Sequence, residues 1–289
     1  MTLPVDHFSH SQIGAMRDCM RLLDYRYVRK APRKVQPLNM ALGRVVHATA
    51  AQDYSHRIEK GVYLPDDAIL DLAGSTFDTE TLEVRWSIEE QKPDGAKDAA
   101  RNMAQAHHLG VAPRVRPVHV EHRMTAQIAG LPVVLLGIAD VIAESSIGIT
   151  ARGEPGKADR VLSTPGRHVR DTKTSAKAPP GVNTGIIAPD VRGVSQLATY
   201  RIICAANGTP AVETWLDHVW PTKGGQSLPA RVEVTPREVQ LALEDYALLM
   251  RVYESGLFPR TGRGGWICKP GKCDYYDDCV LGPSRAMDL

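Results

Sequence analysis

VVLLGIADVIAE (residues 133–144) and HVRDTKTS (residues 168–175) are the two stretches on which the fold reading turns. The first is a β-branched, apolar run. Before it stand the turn AGLP (residues 129–132) and a partly alternating stretch from Val115 to Ile128. Two such runs around a short turn predict a β-hairpin. HVRDTKTS predicts a further short strand, and the polar Gly-, Arg- and Lys-rich segment between them, from about Ser145 to Gly166, predicts a loop.

Outward from this pair, the chain punctuates itself. Ser9 and Gln12 fit a capping box, with Phe8 and Ile13 at hydrophobic-staple positions, so a first helix is expected from about Ser11 to Val28. A second helix is expected over Leu38–Glu59, with Leu42, Val45 and Val46 on its apolar side. Residues from about Pro65 to Leu109 read as helical without clear boundaries. After HVRDTKTS, the connector APPGVNTGIIAPD (178–190) leads into a helix from about Val191 to Asn207, and AVETWLDHVWP (211–221) predicts another strand. Thr235, Pro236 and Glu238 mark the start of a last helix, whose stripe is Val239, Leu243, Tyr246, Met250 and Tyr253. The order of helices, hairpin, strand, helix, strand predicts an α/β (α+β) fold with a small mixed sheet flanked by helices. We expect a single domain over 1–289, with a helical part (1–112), a sheet core (113–220) and a C-terminal helix with a cysteine-rich tail (221–289).

Composition bounds the function. The 289 residues are 43% hydrophobic and 24% charged, as in an ordinary globular protein. Formal net charge is only +2, so a polyanionic partner has to be met by local groups of basic residues. Such groups stand at Arg29, Lys30, Arg33 and Lys34, at Arg152, Lys157, Arg160 and Arg167, and near Arg260, Arg263 and Lys269. No apolar run approaches the roughly 20 residues that span a bilayer, and the opening MTLPVDHFSHSQ has neither basic leader nor apolar stretch. We therefore expect no membrane contact and a cytoplasmic protein, in which thiols stay reduced. Three of the five cysteines, Cys268, Cys273 and Cys279, crowd into the tail, which points to a metal more than to disulfides.

The chemistry gathers on the two opening stretches. Asp140 ends an apolar strand, where a carboxylate is costly unless paired or metal-bound. Asp171 and Lys173 are two apart on the next strand and project from one face. A D-x-K pair alone reads as an exposed salt bridge; its place beside Asp140 gives it force. Two carboxylates then converge on one divalent cation with an ammonium beside it, the equipment of phosphodiester hydrolysis.

With these residues in hand, the sequence resembles the RecB-like nucleases of the P-D-(D/E)-x-K superfamily, among them CRISPR-associated nucleases and phage exonucleases. FSHSQIGAMRDC is similar to the family's first helix, which carries a cysteine; MALGRVVHATA to its G-x-x-x-H helix, with Gly43 and His47; GIADVI to the strand of the first acid; RDTKTS to the D-x-K-T strand; QLATY to the Q-x-x-x-Y helix; and CKPGKCDYYDDC to the terminal cysteine cluster. Ala139, where the motif's name has proline, is a departure. The resemblance implies a restriction-endonuclease-like core, and His47, Asp140, Asp171 and the Thr172 carbonyl as metal ligands. It implies Lys173 as catalytic, with Gln196 and Tyr200 steadying the site or touching DNA, and Glu121 as a supporting acid. Hard oxygen ligands favour Mg²⁺ or Mn²⁺, and one imidazole tilts the site toward Mn²⁺.

The expected activity is an exonuclease in recombination, repair or phage replication, with a module that processes and hands over DNA ends inside a larger complex, such as CRISPR spacer acquisition, as the alternative. DNA would be held through its backbone with little sequence preference. The cluster-bearing branch of the family also implies a four-iron four-sulfur cluster on Cys19, Cys268, Cys273 and Cys279. The spacing alone does not choose between that cluster and zinc, and a site of three ligands stays open too. Cys204 reads as a core thiol.

Overall fold

A computed structural model describes residues 3–33, 37–82, 84, 93–145, 149–151, 160–180, 191–222, 224–262, 265–270 and 272–281. The expected sheet is there and is larger than the sequence announces. It comprises β1 (His7–Ser9), β2 (Pro117–Ala126), β3 (Val134–Ser145), β6 (Gly166–Thr174), β7 (Glu213–Trp220) and β8 (Gln226–Val232), six strands of mixed direction. Between β3 and β6, part of the expected loop forms a separate two-stranded ladder, β4 (Ile149–Ala151) with β5 (Arg160–Ser163). Lys34, Arg152, Lys157 and Arg263, expected to touch phosphates, lie outside the described residues, as does most of the connector 178–190.

The strand β3 organises the rest. Along one edge it pairs with β2 as the expected hairpin, Arg123 opposite Ile138 and Thr125 opposite Leu136. Its other edge is shared. The first residues, Val134–Leu136, pair in parallel with His7–Ser9 of β1, while Val141–Ser145 pair antiparallel with β6. The ladder therefore forks at residues 137–140, where neither β1 nor β6 takes β3's backbone.

The parallel step from β6 to β7 needs a crossover, supplied by α6 (Val191–Ala206). That helix packs on one sheet face with α1 (His10–Asp18) and α7 (Pro236–Ser255), around Phe8, Ile13, Leu135, Leu197, Ile203 and Tyr246. The other face carries α3 (Leu38–Lys60) and α5 (Pro93–Gly110), with α4 (Asp66–Glu80) laid over both. The capping box at Thr235 and Glu238 is formed as read, and α7 ends at Gly256 in the left-handed conformation.

Two expectations at the N-terminus are corrected. Ser9 occupies the N-cap position but makes no side-chain cap; Gln12, fully buried, donates instead to the carbonyl of His7. Nor is the first helix continuous to Val28. It stops at Cys19, whose backbone is extended (φ −170°, ψ 121°), resumes as α2 (Met20–Leu23), and widens into a π-helical turn over Asp24–Val28. Cys19 still donates its N–H to Ala15 and accepts from Leu22 and Leu23, so the break leaves its backbone groups satisfied.

Candidate active site and cysteine cavity

The fork in β3 is where the expected residues meet. Because β6 has parted from β3 there, the N–H of Thr172 donates to the Asp140 carboxylate (2.7 Å) rather than to a backbone carbonyl. The opened carbonyl of Ile138 accepts the hydroxyl of Tyr200 (2.6 Å). Gly137 makes this possible: a Cβ there would lie 3.0 Å from the Tyr200 ring. From the opposite face, α3 delivers His47, whose Nδ1 is 3.2 Å from Asp140 Oδ2. Gly43, one turn earlier, lets that helix approach β6, since a Cβ would sit 3.0 Å from Thr174 Oγ1. The two glycines of the quoted motifs thus have steric reasons.

Asp171 and Lys173 share a face of β6, and their ammonium and carboxylate are 2.5 Å apart. Gln196 on α6 binds both: its Oε1 accepts from Lys173 Nζ and its Nε2 donates to Asp171 Oδ1, each at 2.7 Å. The same amide nitrogen donates to Tyr200 Oη (2.7 Å), four residues on. A continuous chain of polar contacts therefore runs from Lys173 through Gln196 and Tyr200 to the β3 backbone. All the residues expected at the centre are gathered here.

The structure adds one residue in a larger part than expected. Glu121 stands in β2 with a left-handed backbone (φ 45°), which a non-glycine residue adopts at a cost of roughly 1–3 kcal/mol. Its carboxylate lies in a group with His47 and Asp140 whose ligand atoms are all within 4.8 Å of one another. Sequence reading placed Glu121 only as a supporting acid, because nothing in VEHRM announces the backbone turn.

The electrostatics fit a site that wants a cation. Burial and the nearby Asp140 charge push Asp171 up to about 6, against the pull of Lys173. Burial also works against ionised Asp140, but His47 and the Thr172 N–H outweigh it and hold that carboxyl below its usual range. His47, opposed by burial, is raised to about 9 by Asp140 and Asp171. Glu121 is raised by burial and by Asp140. Asp171 Oδ2, buried and against Lys173, accepts no well-aligned hydrogen bond. Two carboxyls, Asp171 and Glu121, raised by burial and by the Asp140 charge are what a bound divalent ion would satisfy. His47, Glu121, Asp140 and Asp171 thus suit a hard metal.

With this geometry established, comparison with known proteins decides the family. The model of the PD-(D/E)XK nuclease superfamily matches residues 7–279. The chain belongs to that superfamily. No curated protein sequence matches it significantly. Among solved structures, this PD-(D/E)XK chain is similar in fold to the crystal structure of a "putative exonuclease" from Eubacterium rectale. Identity is 13% and the TM-score 0.54, over 90% of this chain and 85% of the other. The activity is accordingly that of a nuclease. No helix among the described residues is long and apolar enough to cross a membrane.

A second locus lies at the end of α1. Cys19, Cys268, Cys273 and Cys279 line one cavity, with Leu22, Tyr25 and Ile267 beside them, and all are free thiols. The helix break turns Cys19 toward the tail, where its sulfur accepts the N–H of Thr261 (3.4 Å). Burial raises the Cys19 thiol, but the Thr261 contacts outweigh it and the net shift is downward; Cys273 and Cys279 are raised by burial. The tail is stitched to the N-terminus by a Tyr25–Tyr275 stack (4.8 Å), the Arg26–Asp274 ion pair (3.1 Å) and Tyr275 donating to the Ala31 carbonyl (2.9 Å). Cys204 is buried in the main core, as read.

Proposed function

We propose that this PD-(D/E)XK protein is a divalent-metal-dependent deoxyribonuclease, an exonuclease acting at DNA ends with little sequence preference, in recombination, repair or phage replication. The observation that carries the reading is the meeting of His47, Glu121, Asp140 and Asp171 beside Lys173 at the fork of β3. His47, Asp140, Asp171, Glu121 and the Thr172 carbonyl would hold Mg²⁺ or Mn²⁺. The bound ion supplies Lewis acidity toward the phosphoryl oxygen and lowers the pKa of its water. Lys173 is the catalytic cation: its ammonium offsets charge growing on the phosphate or holds the attacking water. Gln196 is a positioning residue, since it fixes Lys173 and Asp171 at once, and Tyr200 locks Gln196 to the strand.

We assign the cysteine cavity to a four-iron four-sulfur cluster held by Cys19, Cys268, Cys273 and Cys279. Zinc at about 2.3 Å from each sulfur would draw four thiolates to within about 3.8 Å of one another. The four cysteines line one cavity at the end of α1, and the resemblance to the cluster-bearing branch of the family is what favours iron–sulfur over such a zinc site. Such a group would be structural, tying the tail to α1.

Incubation with end-labelled single- and double-stranded DNA in Mg²⁺, Mn²⁺ or EDTA tests the activity. We expect metal-dependent shortening from the ends. Lys173→Ala should cut the rate about 100-fold or more, the scale of losing one charge-stabilising group, while DNA is still bound. Equal cleavage by that variant would overturn the assignment of Lys173.

A further inference from the structure

Trp266 lies outside every core cluster. It is 54% exposed. The N–H of Cys268 donates to the carbonyl of Gly265 (3.1 Å), closing a turn whose central residues are Trp266 and Ile267. Ile267 points inward and is buried against Leu22 and Tyr275. Its neighbour is thereby held outward. A large indole ring in water, carried on a pinned turn, has lost part of its freedom before any ligand arrives.

Two cations lie over this ring. The Arg192 guanidinium is 5.6 Å from its centroid and the Lys272 ammonium 5.8 Å. Arg192 is itself held by Asp18, with contacts of 2.5 and 3.4 Å. It comes from the first turn of α6, four residues before Gln196. Residues four apart share a helix face, and that step is a rise of about 6 Å. The ring is thus docked on the side chain one turn from the amide that binds Asp171 and Lys173.

We propose that Trp266 is a stacking platform for a base of single-stranded DNA, with Arg192 and Lys272 taking the flanking phosphates, one helical turn from the candidate active site. The inference rests on the nuclease reading for the identity of the strand. An exposed indole with two cations over its ring matches the chemistry of an unpaired nucleotide, whose base can take a cation's place on the π face while its phosphates receive the displaced cation. Bases inside a duplex are already stacked on each other and cannot use the ring. The platform would therefore hold a strand that is single-stranded where it leaves the site.

Binding is measured in EDTA, so that no cleavage intervenes, with the 289-residue chain and two fluorescein-labelled probes: an oligothymidylate and a blunt duplex. Trp266→Ala should weaken oligothymidylate binding about 5- to 150-fold, the range that one lost base stack produces. Trp266→Phe should recover most of that loss, and duplex binding should change less than about twofold. Oligothymidylate should also quench a portion of the wild-type indole emission that Trp266→Phe lacks, a readout available even if the alanine variant folds poorly. Unchanged oligothymidylate binding by Trp266→Ala, an equal loss toward the duplex, or a ring silent to both probes would overturn the platform. Quenching without any metal-dependent cleavage by wild type would sink the nuclease reading and leave the platform standing; cleavage with a silent ring would do the reverse.

Discussion

Asp217 of β7 offers a test of how β6, the strand of Asp171 and Lys173, is held. On the face of β6 opposite Asp171 and Lys173, Arg170 meets Asp217 through two hydrogen bonds, Nε to Oδ2 at 2.9 Å and Nη2 to Oδ1 at 2.6 Å. Both side chains are nearly inaccessible, 5% and 2% exposed. Burial works against the charge on Arg170, but Asp217 outweighs it and raises the guanidinium's affinity for its proton. Asp217→Ala therefore leaves a cation that cannot neutralise itself, and breaking a buried pair from one side costs about 3–5 kcal/mol. The Trp215 ring, 4.7 Å from the guanidinium, compensates by no more than about 2 kcal/mol and is already engaged. With an m-value of about 3 kcal/mol per M, the urea midpoint should fall by about 1–1.7 M. Arg170→Met combined with Asp217→Leu removes both charges and should recover most of that loss, because an apolar pair of similar volume is often no worse than the ion pair. Urea titrations followed by circular dichroism measure all three proteins. A single variant within about 0.5 kcal/mol of wild type, or a double variant no more stable than Asp217→Ala, would refute the reasoning.

Two further outcomes are expected. Protein purified without oxygen should be brown and contain iron and acid-labile sulfide, and Cys279→Ser should bleach it and expose the tail to proteolysis; a colourless preparation with stoichiometric zinc would reassign the cavity. His107, 2% exposed, is pushed down to about 4 by burial, despite the nearby Asp217 and Asp53 charges. Its folded value lies below the ordinary 6.5, so between those limits the unfolded chain binds a proton that the native state refuses. The resulting stability, about 3 kcal/mol, is complete above about pH 6.5 and lost as pH falls toward 4. His107→Gln should remove that acid-side loss, and a native NMR spectrum in which the imidazole signal missing from His107→Gln titrates near 6.5 would contradict it.

The parts of the fold legible in the sequence are those written in local chemistry. The Thr235 capping box, the AGLP turn and the β-branched run of β3 each carry their own instruction, and α7 and the hairpin form accordingly. Asp140, Asp171 and Lys173 are legible from their placement on successive strands, His47 and Gln196 only from the family resemblance, and the fold brings them together. What escaped is what only distant partners define. β1 is three residues long and exists because Val134–Leu136 offer an edge. β8 was missed because QSLPARV carries a proline, tolerable only at an edge strand such as this one. α5 buries Ala96, Ala100 and Ala104, small side chains that give a faint apolar rhythm. The left-handed turn of Glu121 and the break at Cys19 are set by what surrounds them, in residues that have no intrinsic preference for either.

The stitching of tail to N-terminus has a consequence for the order of assembly. A chain leaves the ribosome from its first residue onward. Cys19, Tyr25 and Arg26 emerge early, yet Tyr275, Asp274 and Cys279 are among the last described residues to appear. His7–Ser9 likewise must wait for Val134–Leu136. Once α6 and α7 have covered Phe8 and Ile13, Cys19, Leu22 and Tyr25 still wait for Ile267, Cys273 and Tyr275 to cover them. Premature termination between residues 256 and 267 would therefore yield a chain whose sheet and α7 are encoded in full but whose Cys19, Leu22 and Tyr25 have lost their cover, a ready substrate for quality-control proteases.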